Sequence, residues 1–376
     1  MAVFIESSNI ISSLGFSLEE NYENVLSGRS GVKEYVNSPL SDVPLQASLV
    51  DNDLLNGAFM EVTDGGNYTR FEKLAILSVS KSLRNSLVDI TSDRTILILS
   101  TTKGNVDLLE DPKGFGPERL YLWHSAGVVA RFFSAANTPM VVSNACISGV
   151  SALVLAKRLI DAGRYDHAVV VGADVTSRFI VSGFQSFMSL SANRCKPFDA
   201  GRNGLNIGEA AASVVVTNRP TQSREKLTEI VRGAIHNDAN HISGPSRTGE
   251  GLFHAITDAV AGDSVDFISA HGTATPYNDN MEAVAIGRAG LNHVPVNSIK
   301  AFFGHTLGAA GLLESIIAME AMKHNTVIAT LGYETCGVTE QINVAAETSV
   351  KDIRTVLKLA SGFGGSNAAV LLKKTE

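Results

Sequence analysis

A cysteine, two histidines and a lysine stand where the local sequence can place a reactive side chain. Cys146 follows an apolar, β-branched segment and precedes residues 150–159, whose apolar side chains recur at helical spacing. A thiol at the N-terminal end of a helix faces unpaired N–H groups and the positive end of the helix dipole. We expect this setting to lower the pKa of the thiol and to make Cys146 a nucleophile. The alternative is a small buried cysteine that only packs.

The two histidines also follow predicted strands. His271 begins the segment HGTATP directly after an apolar strand, and His305 lies five residues after Lys300, behind a glycine. Side chains at the C-terminal ends of strands line clefts in α/β proteins, and imidazole titrates near neutral pH. Both histidines are therefore candidate catalytic groups. Taken singly, each is equally well a solvated or core histidine, Lys300 a surface lysine, and Asp279 and Glu282 helix N-terminal charges.

Two segments of the chain resemble each other. CISG from Cys146 and HTLG from His305 each open a predicted helix behind a serine-bearing strand, and residues 208–216 and 365–372 form similar closing strands. Chance similarity between Ala- and Gly-rich helix starts is the alternative. Duplication of one α/β unit explains both echoes. It would place Cys146 and His305 opposite each other across a pseudo-twofold axis.

Strands and helices alternate along most of the chain, and the strands are continuous apolar runs. This pattern is typical of an α/β protein whose sheets are covered on both faces. We divide the chain into residues 1–217, which carry the cysteine, and residues 218–376, which carry both histidines. Residues 41–66 are predicted to be irregular, and residues 306–323 to form one long apolar helix.

Composition narrows the classes of function. The chain has 376 residues and a formal net charge of −7, which argues against nucleic acid as the main partner. Its three cysteines match neither a disulfide framework nor a metal-binding spacing, so we expect no metal site and a reducing compartment. No signal peptide or membrane-spanning run is evident. We therefore expect a cytoplasmic protein that does not bind membranes.

Several motifs, taken in their order along the chain, resemble those of the β-ketoacyl-[acyl-carrier-protein] synthases of the thiolase superfamily. They are Cys146, HGTATP from His271, KAFFGH from Lys300 to His305, and GFGGSN from Gly362. The resemblance covers nearly the whole chain. It implies a thiolase-like duplicated α/β fold, layered α-β-α-β-α around two mixed five-stranded sheets. With histidine at both 271 and 305, the chain resembles the elongating branch of the family, whose enzymes have a Cys-His-His triad.

The resemblance implies an acyltransferase, a 3-oxoacyl-[acyl-carrier-protein] synthase, that works in two steps. An acyl group passes from a carrier thioester to Cys146, while the N–H groups of Cys146 and Phe363 form an oxyanion hole. A malonyl thioester then loses carbon dioxide, and neutral His271 and His305 stabilise the resulting enolate. Lys300 orients the histidine network.

Further site residues follow from the same resemblance. Lys300 is expected to pair with Glu314, and Glu282 is the second candidate for this supporting shell. Thr273 and Thr275 match threonines that hydrogen-bond the phosphopantetheine arm.

Aromatic side chains are expected to shape the acyl pocket. Phe363 matches the side chain that gates it, and Phe184, Phe187 and Met188 are candidate lining residues. Ordinary core packing is the alternative for these last three.

The implied partners are an acyl-carrier protein and a second subunit. The carrier supplies phosphopantetheine, so no covalently bound cofactor is expected. The chain is expected to form a homodimer, or a heterodimer with a related ketosynthase. Capture of an acidic carrier requires basic residues, for which the candidates are Arg70, Lys73, Arg131, Arg194 and Lys196.

The function predicted from the resemblance is decarboxylative Claisen condensation in fatty-acid, polyene or polyketide-type biosynthesis. The main alternative is a partner subunit like a chain-length factor, although such relatives usually lose the nucleophilic cysteine that this chain keeps. A Cys-His hydrolase is a third hypothesis, and it gives no reason for two histidines and the glycine-rich turn.

Overall fold

A computed structural model describes residues 1–63, 65–221 and 227–375. Its strands are β1 Phe4–Ile11, β2 Lys33–Tyr35, β3 Leu45–Ser48, β4 Thr95–Ser100, β5 Met140–Val142, β6 His167–Asp174, β7 Ile207–Gly208, β8 Ala210–Thr217, β9 Thr228–Asn237, β10 Phe267–Ser269, β11 Val296–Asn297, β12 Thr326–Val327, β13 Ser349–Val350, β14 Thr355–Gly362 and β15 Ser366–Lys374.

The α-helices connect these strands. They are α1 Leu18–Leu26, α2 Asn52–Met60, α3 Arg70–Arg84, α4 Leu122–Phe132, α5 Ser148–Asp161, α6 Arg178–Ser186, α7 Glu250–Val260, α8 Pro276–Arg288, α9 Lys300–Phe303 and α10 Ala310–Lys323. Within the described ranges, no helix combines the length and the apolar character needed to cross a membrane.

Ten strands form one mixed sheet in the order β11-β10-β14-β15-β9-β1-β8-β6-β4-β5. From the centre of the sheet outward, one half runs β1-β8-β6-β4-β5 and the other runs β9-β15-β14-β10-β11. In each half, the first two pairings are antiparallel and the last two are parallel. Because order and direction are the same in both halves, the predicted duplicated fold is confirmed. The two expected sheets are joined, however, by a short antiparallel ladder between β1 and β9.

Helices cover and separate the two halves of the sheet. α5 and α10 pack together between them, and their apolar side chains share the largest buried cluster with strands of both halves. α3 and α4 cover the outer face of the first five strands, and α7 and α8 cover that of the second five. This is the predicted α-β-α-β-α layering. The division between residues 217 and 218 stays a prediction, since the core crosses it.

The central helices α5 and α10 cross at backbone contact. A Cβ at Gly149 would lie 2.5 Å from the Leu312 nitrogen, and a Cβ at Gly311 would lie 2.8 Å from the Val150 nitrogen. The backbones of the two helices therefore touch at two neighbouring points. Glycine at both positions therefore sets how closely the two halves approach.

Two predicted elements differ from the structure. Residues 41–66, expected to be irregular, contain β3 and α2. The Asp51 carboxylate caps α2 by accepting the N–H groups of Asp53 and Leu54, which provides the missing start signal. The expected helix over residues 306–323 is interrupted, because Leu307 has a φ of 53° and begins a 3₁₀ turn.

Candidate active site

Cys146 occupies a strained turn between β5 and α5. The preceding residue, Ala145, has a φ of 45°, a backbone conformation that residues other than glycine rarely adopt. Ser148 holds this turn: its Oγ accepts the Asn144 N–H at 2.8 Å and donates to the Ala145 carbonyl at 2.6 Å. Because α5 begins at Ser148, the thiol lies just before the helix, where it is 8% exposed.

His271 lies on the loop after β10, which α8 fixes in place. Glu282 accepts the backbone N–H of His271 at 2.7 Å and that of Gly272 at 2.6 Å, and Asp279 accepts that of Thr273 at 3.0 Å. Both carboxylates are completely buried. Both are therefore structural anchors of the loop, and only Asp279 also lies in the first turn of the helix.

His305 is carried by a second turn with positive φ. Gly304 has a φ of 66°, and a Cβ there would lie 2.6 Å from the carbonyl oxygen of Ile207, so only glycine fits. The His305 N–H donates to the Asn206 carbonyl at 2.7 Å. Gly304 thus corresponds in position to Ala145, since each directly precedes a reactive residue and has a positive φ.

The structure brings Cys146, His271 and His305 together. The sulfur of Cys146 and one ring nitrogen of each histidine lie within 4.8 Å of one another, and all three residues are buried. The imidazole rings meet edge to face, with centroids 5.1 Å apart and an interplanar angle of 82°. A thiol and two imidazoles are also zinc-ligand types, and the expectation of a metal-free site stays a prediction.

Two buried lysines share one carboxylate beneath the rings. Lys300 Nζ lies 2.6 Å from Glu314 Oε1 and 3.3 Å from His271 Nδ1, and Lys358 Nζ lies 2.6 Å from Glu314 Oε2. Of the two acids considered for Lys300, Glu314 makes the contact, whereas Glu282 binds the backbone of the His271 loop. Because an ammonium only donates, the His271 proton resides on Nε2.

Burial controls the protonation of the three reactive groups. It raises the pKa of Cys146 to about 11, although the charges of Lys300 and Lys103 act in the opposite direction. The expected lowering of the thiol pKa is therefore wrong, because desolvation outweighs the favourable charges. Burial, reinforced by Lys300, holds the pKa values of His271 and His305 well below the usual range. Both rings are neutral at pH 7.

A cavity of 320 Å³ opens onto this group. Phe363 follows Gly362 on its wall, and its backbone N–H is near enough to the sulfur of Cys146 to lower the thiol pKa slightly. Thr273 and Thr275 line the same cavity, with their hydroxyl oxygens 2.8 Å apart. The residues predicted to bind the phosphopantetheine arm thus line one space, and that role stays a prediction.

A second cavity, of 680 Å³, also reaches Cys146 and has mostly apolar walls. Phe184 and Phe187 line it, and both contact the ring of Phe363, at centroid distances of 5.6 and 5.3 Å. Met188 lines neither cavity and is 89% exposed. The expectation for Met188 is wrong because its φ of 51°, just after α6, turns the chain outward.

The sequence matches two consecutive family profiles. Residues 2–221 match "Beta-ketoacyl synthase, N-terminal domain", and residues 227–334 match "Beta-ketoacyl synthase, C-terminal domain". The chain belongs to the β-ketoacyl synthase family. With its Cys-His-His group it is an elongating synthase of the thiolase superfamily and an acyltransferase, which confirms the predicted family and enzyme class.

Named relatives of this synthase match most or nearly all of its length. It is 27% identical over 411 residues to 3-oxoacyl-[acyl-carrier-protein] synthase 2 of Coxiella burnetii, covering 99% of this chain and 98% of the relative. It is 28% identical over 352 residues to the putative polyketide beta-ketoacyl synthase 1 of Streptomyces halstedii, covering 82% of each.

Solved structures show the same fold. The Xenorhabdus doucetiae ketosynthase ApeO, solved in complex with its chain length factor ApeC, matches with a TM-score of 0.86 and 24% identity, covering 100% of the synthase and 98% of that chain. The ishigamide ketosynthase/chain length factor matches with the same score and identity, covering 100% and 99%.

Two buried charged residues of the synthase were missed at the sequence level. Asp174, at the end of β6, accepts the Gly308 N–H at 2.6 Å and the Thr101 hydroxyl at 2.8 Å, and so ties the His305 turn to the first half. Lys358 is completely buried in β14. A lone charge inside the apolar run TVLKLA was the available signal, because an unpaired charge is too costly to bury.

Proposed function

We propose that the synthase extends an acyl chain held on Cys146 by decarboxylative condensation with a malonyl thioester of an acyl-carrier protein. The observation that carries this proposal is the meeting of Cys146, His271 and His305 between two cavities. One cavity suits a narrow polar arm, and the other suits an apolar acyl chain.

The first step is acyl transfer. The sulfur of Cys146 bonds to the carbonyl carbon of the acyl thioester, the bond from that carbon to the carrier sulfur breaks, and the proton of Cys146 leaves with the carrier thiol. The N–H groups of Cys146 and Phe363 stabilise the tetrahedral oxyanion. The contact of the Phe363 N–H with the sulfur supports this role.

The second step forms the new carbon–carbon bond. The malonyl carboxylate leaves as carbon dioxide, and its bonding electron pair gives an enolate. Neutral His271 and His305 donate hydrogen bonds to the enolate oxygen, and Lys300 supports the tautomer of His271 that donates from Nε2. The carbanion then attacks the acyl carbonyl, and the Cys146 thiolate leaves and takes a proton from water.

Substrate contacts divide between the two cavities. Thr273 and Thr275 bind the phosphopantetheine arm, which the carrier supplies, so the synthase needs no covalently bound cofactor of its own. Phe363 gates the acyl cavity, and Phe184 forms part of its wall. The stacking of these two rings supports a coupled movement.

A second subunit is part of the proposal. β5 is the outermost strand of the sheet, and the exposed rings of Tyr121 and Trp123 stack at the start of the adjoining helix α4. An open strand edge beside exposed aromatic rings is typical of a subunit interface. The partner is a second copy or a related ketosynthase, as in the ApeO–ApeC complex.

The carrier docks on a reduced set of basic residues. Arg70 forms an ion pair with the buried carboxylate of Glu209, so the prediction that Arg70 is free to dock the carrier is wrong. Within the described residues, Arg131 and Arg194 are exposed and form no ion pair. We place carrier docking on these two arginines together with Lys73 and Lys196. Lys73 hydrogen-bonds Asn56, and Lys196 lies near Glu334.

We assign the activity to fatty-acid, polyene or polyketide-type biosynthesis in the cytoplasm. The named relatives act in the first and last of these pathways, and three free cysteines support a reducing compartment. A role like that of a chain-length factor is the second candidate, because similar folds occur in complexes that contain one.

The deciding experiment mixes the purified synthase with an acyl-carrier thioester and malonyl carrier. Carbon dioxide release with a 3-oxoacyl product supports the proposal. Activity only after addition of a second ketosynthase supports the partner role, and simple thioester hydrolysis supports a hydrolase. Cys146→Ala is expected to abolish self-acylation, and condensation retained in this variant would remove Cys146 as the nucleophile.

A further inference from the structure

Lys358 is a buried charge for which the proposed reaction has no use. It lies on β14, its side chain is inaccessible to solvent, and its Nζ contacts Glu314 Oε2 at 2.6 Å. The same Nζ donates to the carbonyl oxygens of Ser269 at 3.2 Å and Ala270 at 3.0 Å. The contact with Glu314 is an ion pair, and the two carbonyl oxygens accept hydrogen bonds from the ammonium. Lys358 is therefore held as an ion and fixes the backbone just before His271.

The cluster beneath the rings carries an unbalanced charge. Lys300 takes one oxygen of Glu314 and Lys358 takes the other, so two ammonium ions face one carboxylate. Burial lowers the pKa of Lys358, and the adjacent carboxylate opposes that fall. Summed over these three groups, the charge is +1, in a region closed to water, where charge effects are strong. Glu282 is a further acid whose charge acts on Lys358.

We propose that Lys358 is a positioning residue for the two imidazoles: it locks Glu314 and the strand end before His271, and it supplies the excess positive charge that keeps both rings neutral. This inference rests on the proposed function, in which neutral rings donate hydrogen bonds to the enolate. If the His271 ring gained a second proton, its Nδ1–H would point at the ammonium of Lys300, and neither group could accept a hydrogen bond from the other. The excess charge prevents this state.

Other titratable groups also surround the rings. They are Cys146 from the turn before α5, Asp174 from β6, Asp279 and Glu282 from α8, Lys300 from α9 and Glu314 from α10. Burial raises the pKa of Glu282 to about 7 and that of Asp279 to about 6, so both titrate near neutral pH. An activity profile alone would mix their titration with that of the rings.

The test therefore reads the rings directly. Imidazole ¹⁵N chemical shifts are followed from pH 5 to 8 in histidine-labelled protein, and His271→Gln and His305→Gln variants assign the signals. Carbon dioxide release from malonyl carrier is measured over the same range. The wild-type rings are expected to stay neutral throughout.

Three variants separate charge from contact. Lys358→Met lowers the cluster charge from +1 to 0, so its rings are expected to gain protons at the acid end of this range, where those of wild type stay neutral. In Glu314→Gln, with a charge of +2, the rings are expected to stay neutral. The double variant Lys358→Met/Glu314→Gln returns the charge to +1 and is expected to restore neutral rings although the contacts are gone.

The outcomes are distinct. A purely structural role would make the double variant the most perturbed and would lower carbon dioxide release equally at every pH, which would overturn the proposal. Unshifted rings in Lys358→Met would do the same. Lys323→Met, at a lysine on the protein surface, is the matched control and should resemble wild type. Neutral wild-type rings without any carbon dioxide release would instead overturn the proposed function.

Discussion

Desolvation decides how Cys146 reacts. The thiol lies next to the start of α5 and near two lysines, and yet burial raises its pKa to about 11. At pH 7 the free enzyme therefore holds a thiol. The proton has to leave during attack on the thioester, and the cysteine is poorly reactive until a substrate occupies the site.

This protonation state predicts the pH dependence of alkylation. A raised pKa means that thiolate appears only as the pH approaches it, so reaction of Cys146 with iodoacetamide should accelerate about tenfold per pH unit below pH 11. Mass spectrometry of the peptide that contains Cys146 gives the rate. Lys103→Met should slow it at pH 8, because Lys103 lowers the pKa of the thiol. A rate that levels off below pH 9 would contradict the assignment.

The two half-reactions should separate in His305→Ala. Loss of a buried hydrogen-bond donor to the enolate is expected to reduce carbon dioxide release about 100-fold or more. Self-acylation of Cys146 should fall only a few-fold, since it does not require the enolate. Isotope release from labelled malonyl carrier measures the first and intact mass the second. His293→Ala, at an exposed histidine, is the control. Equal losses in both steps would argue against this division.

Residue types and order were sufficient to predict which side chains meet. Cys146, His271 and His305 could be predicted as one group because their motifs, in this order, resemble those of a known family. The thiol pKa, the exposure of Met188 and the buried charge of Lys358 could not, because each depends on what packs around the side chain. Burial is a property of tertiary structure, and local spacing carries little of it.

Among the elements, α5 and α10 should tolerate the least change. In Gly311→Ala the added Cβ would lie 2.8 Å from the Val150 backbone nitrogen, which cannot move without shifting α5. We expect the free energy of unfolding to fall by about 3 kcal/mol, measured by urea denaturation with circular dichroism. Gly57→Ala, in α2, meets nothing within 4 Å. It should stabilise the protein by about 0.5 to 1 kcal/mol. Equal stability of the two variants would refute the close crossing.

Apolar periodicity predicted the long elements and failed at the short ones. The buried strands and α5 were evident because their apolar side chains repeat at a clear period. α2 was missed because its start depends on the Asp51 cap rather than on a pattern of burial. The break before α10 was missed because Leu307, an ordinary helix former, is held in a left-handed conformation by its surroundings.

The whole molecule is built as one cooperative unit. The largest buried cluster takes side chains from both halves, and the β1–β9 ladder makes the sheet continuous. We therefore expect a fragment of residues 1–217 not to fold alone, because it would expose the inner face of its sheet and one side of α5. Circular dichroism and amide exchange would show this. A fragment with a sharp thermal transition would establish the division at residue 217 as a true domain boundary.

The positive φ shared by Ala145 and Gly304 has an evolutionary consequence. In an ancestor with identical halves, each of these bends would have presented the same kind of side chain to the centre. With such a bend in place, the identity of the one residue that follows it decides whether the bend presents a sulfur or a ring. Division of labour between the repeats thus required no new architecture, only a change of what each bend displays.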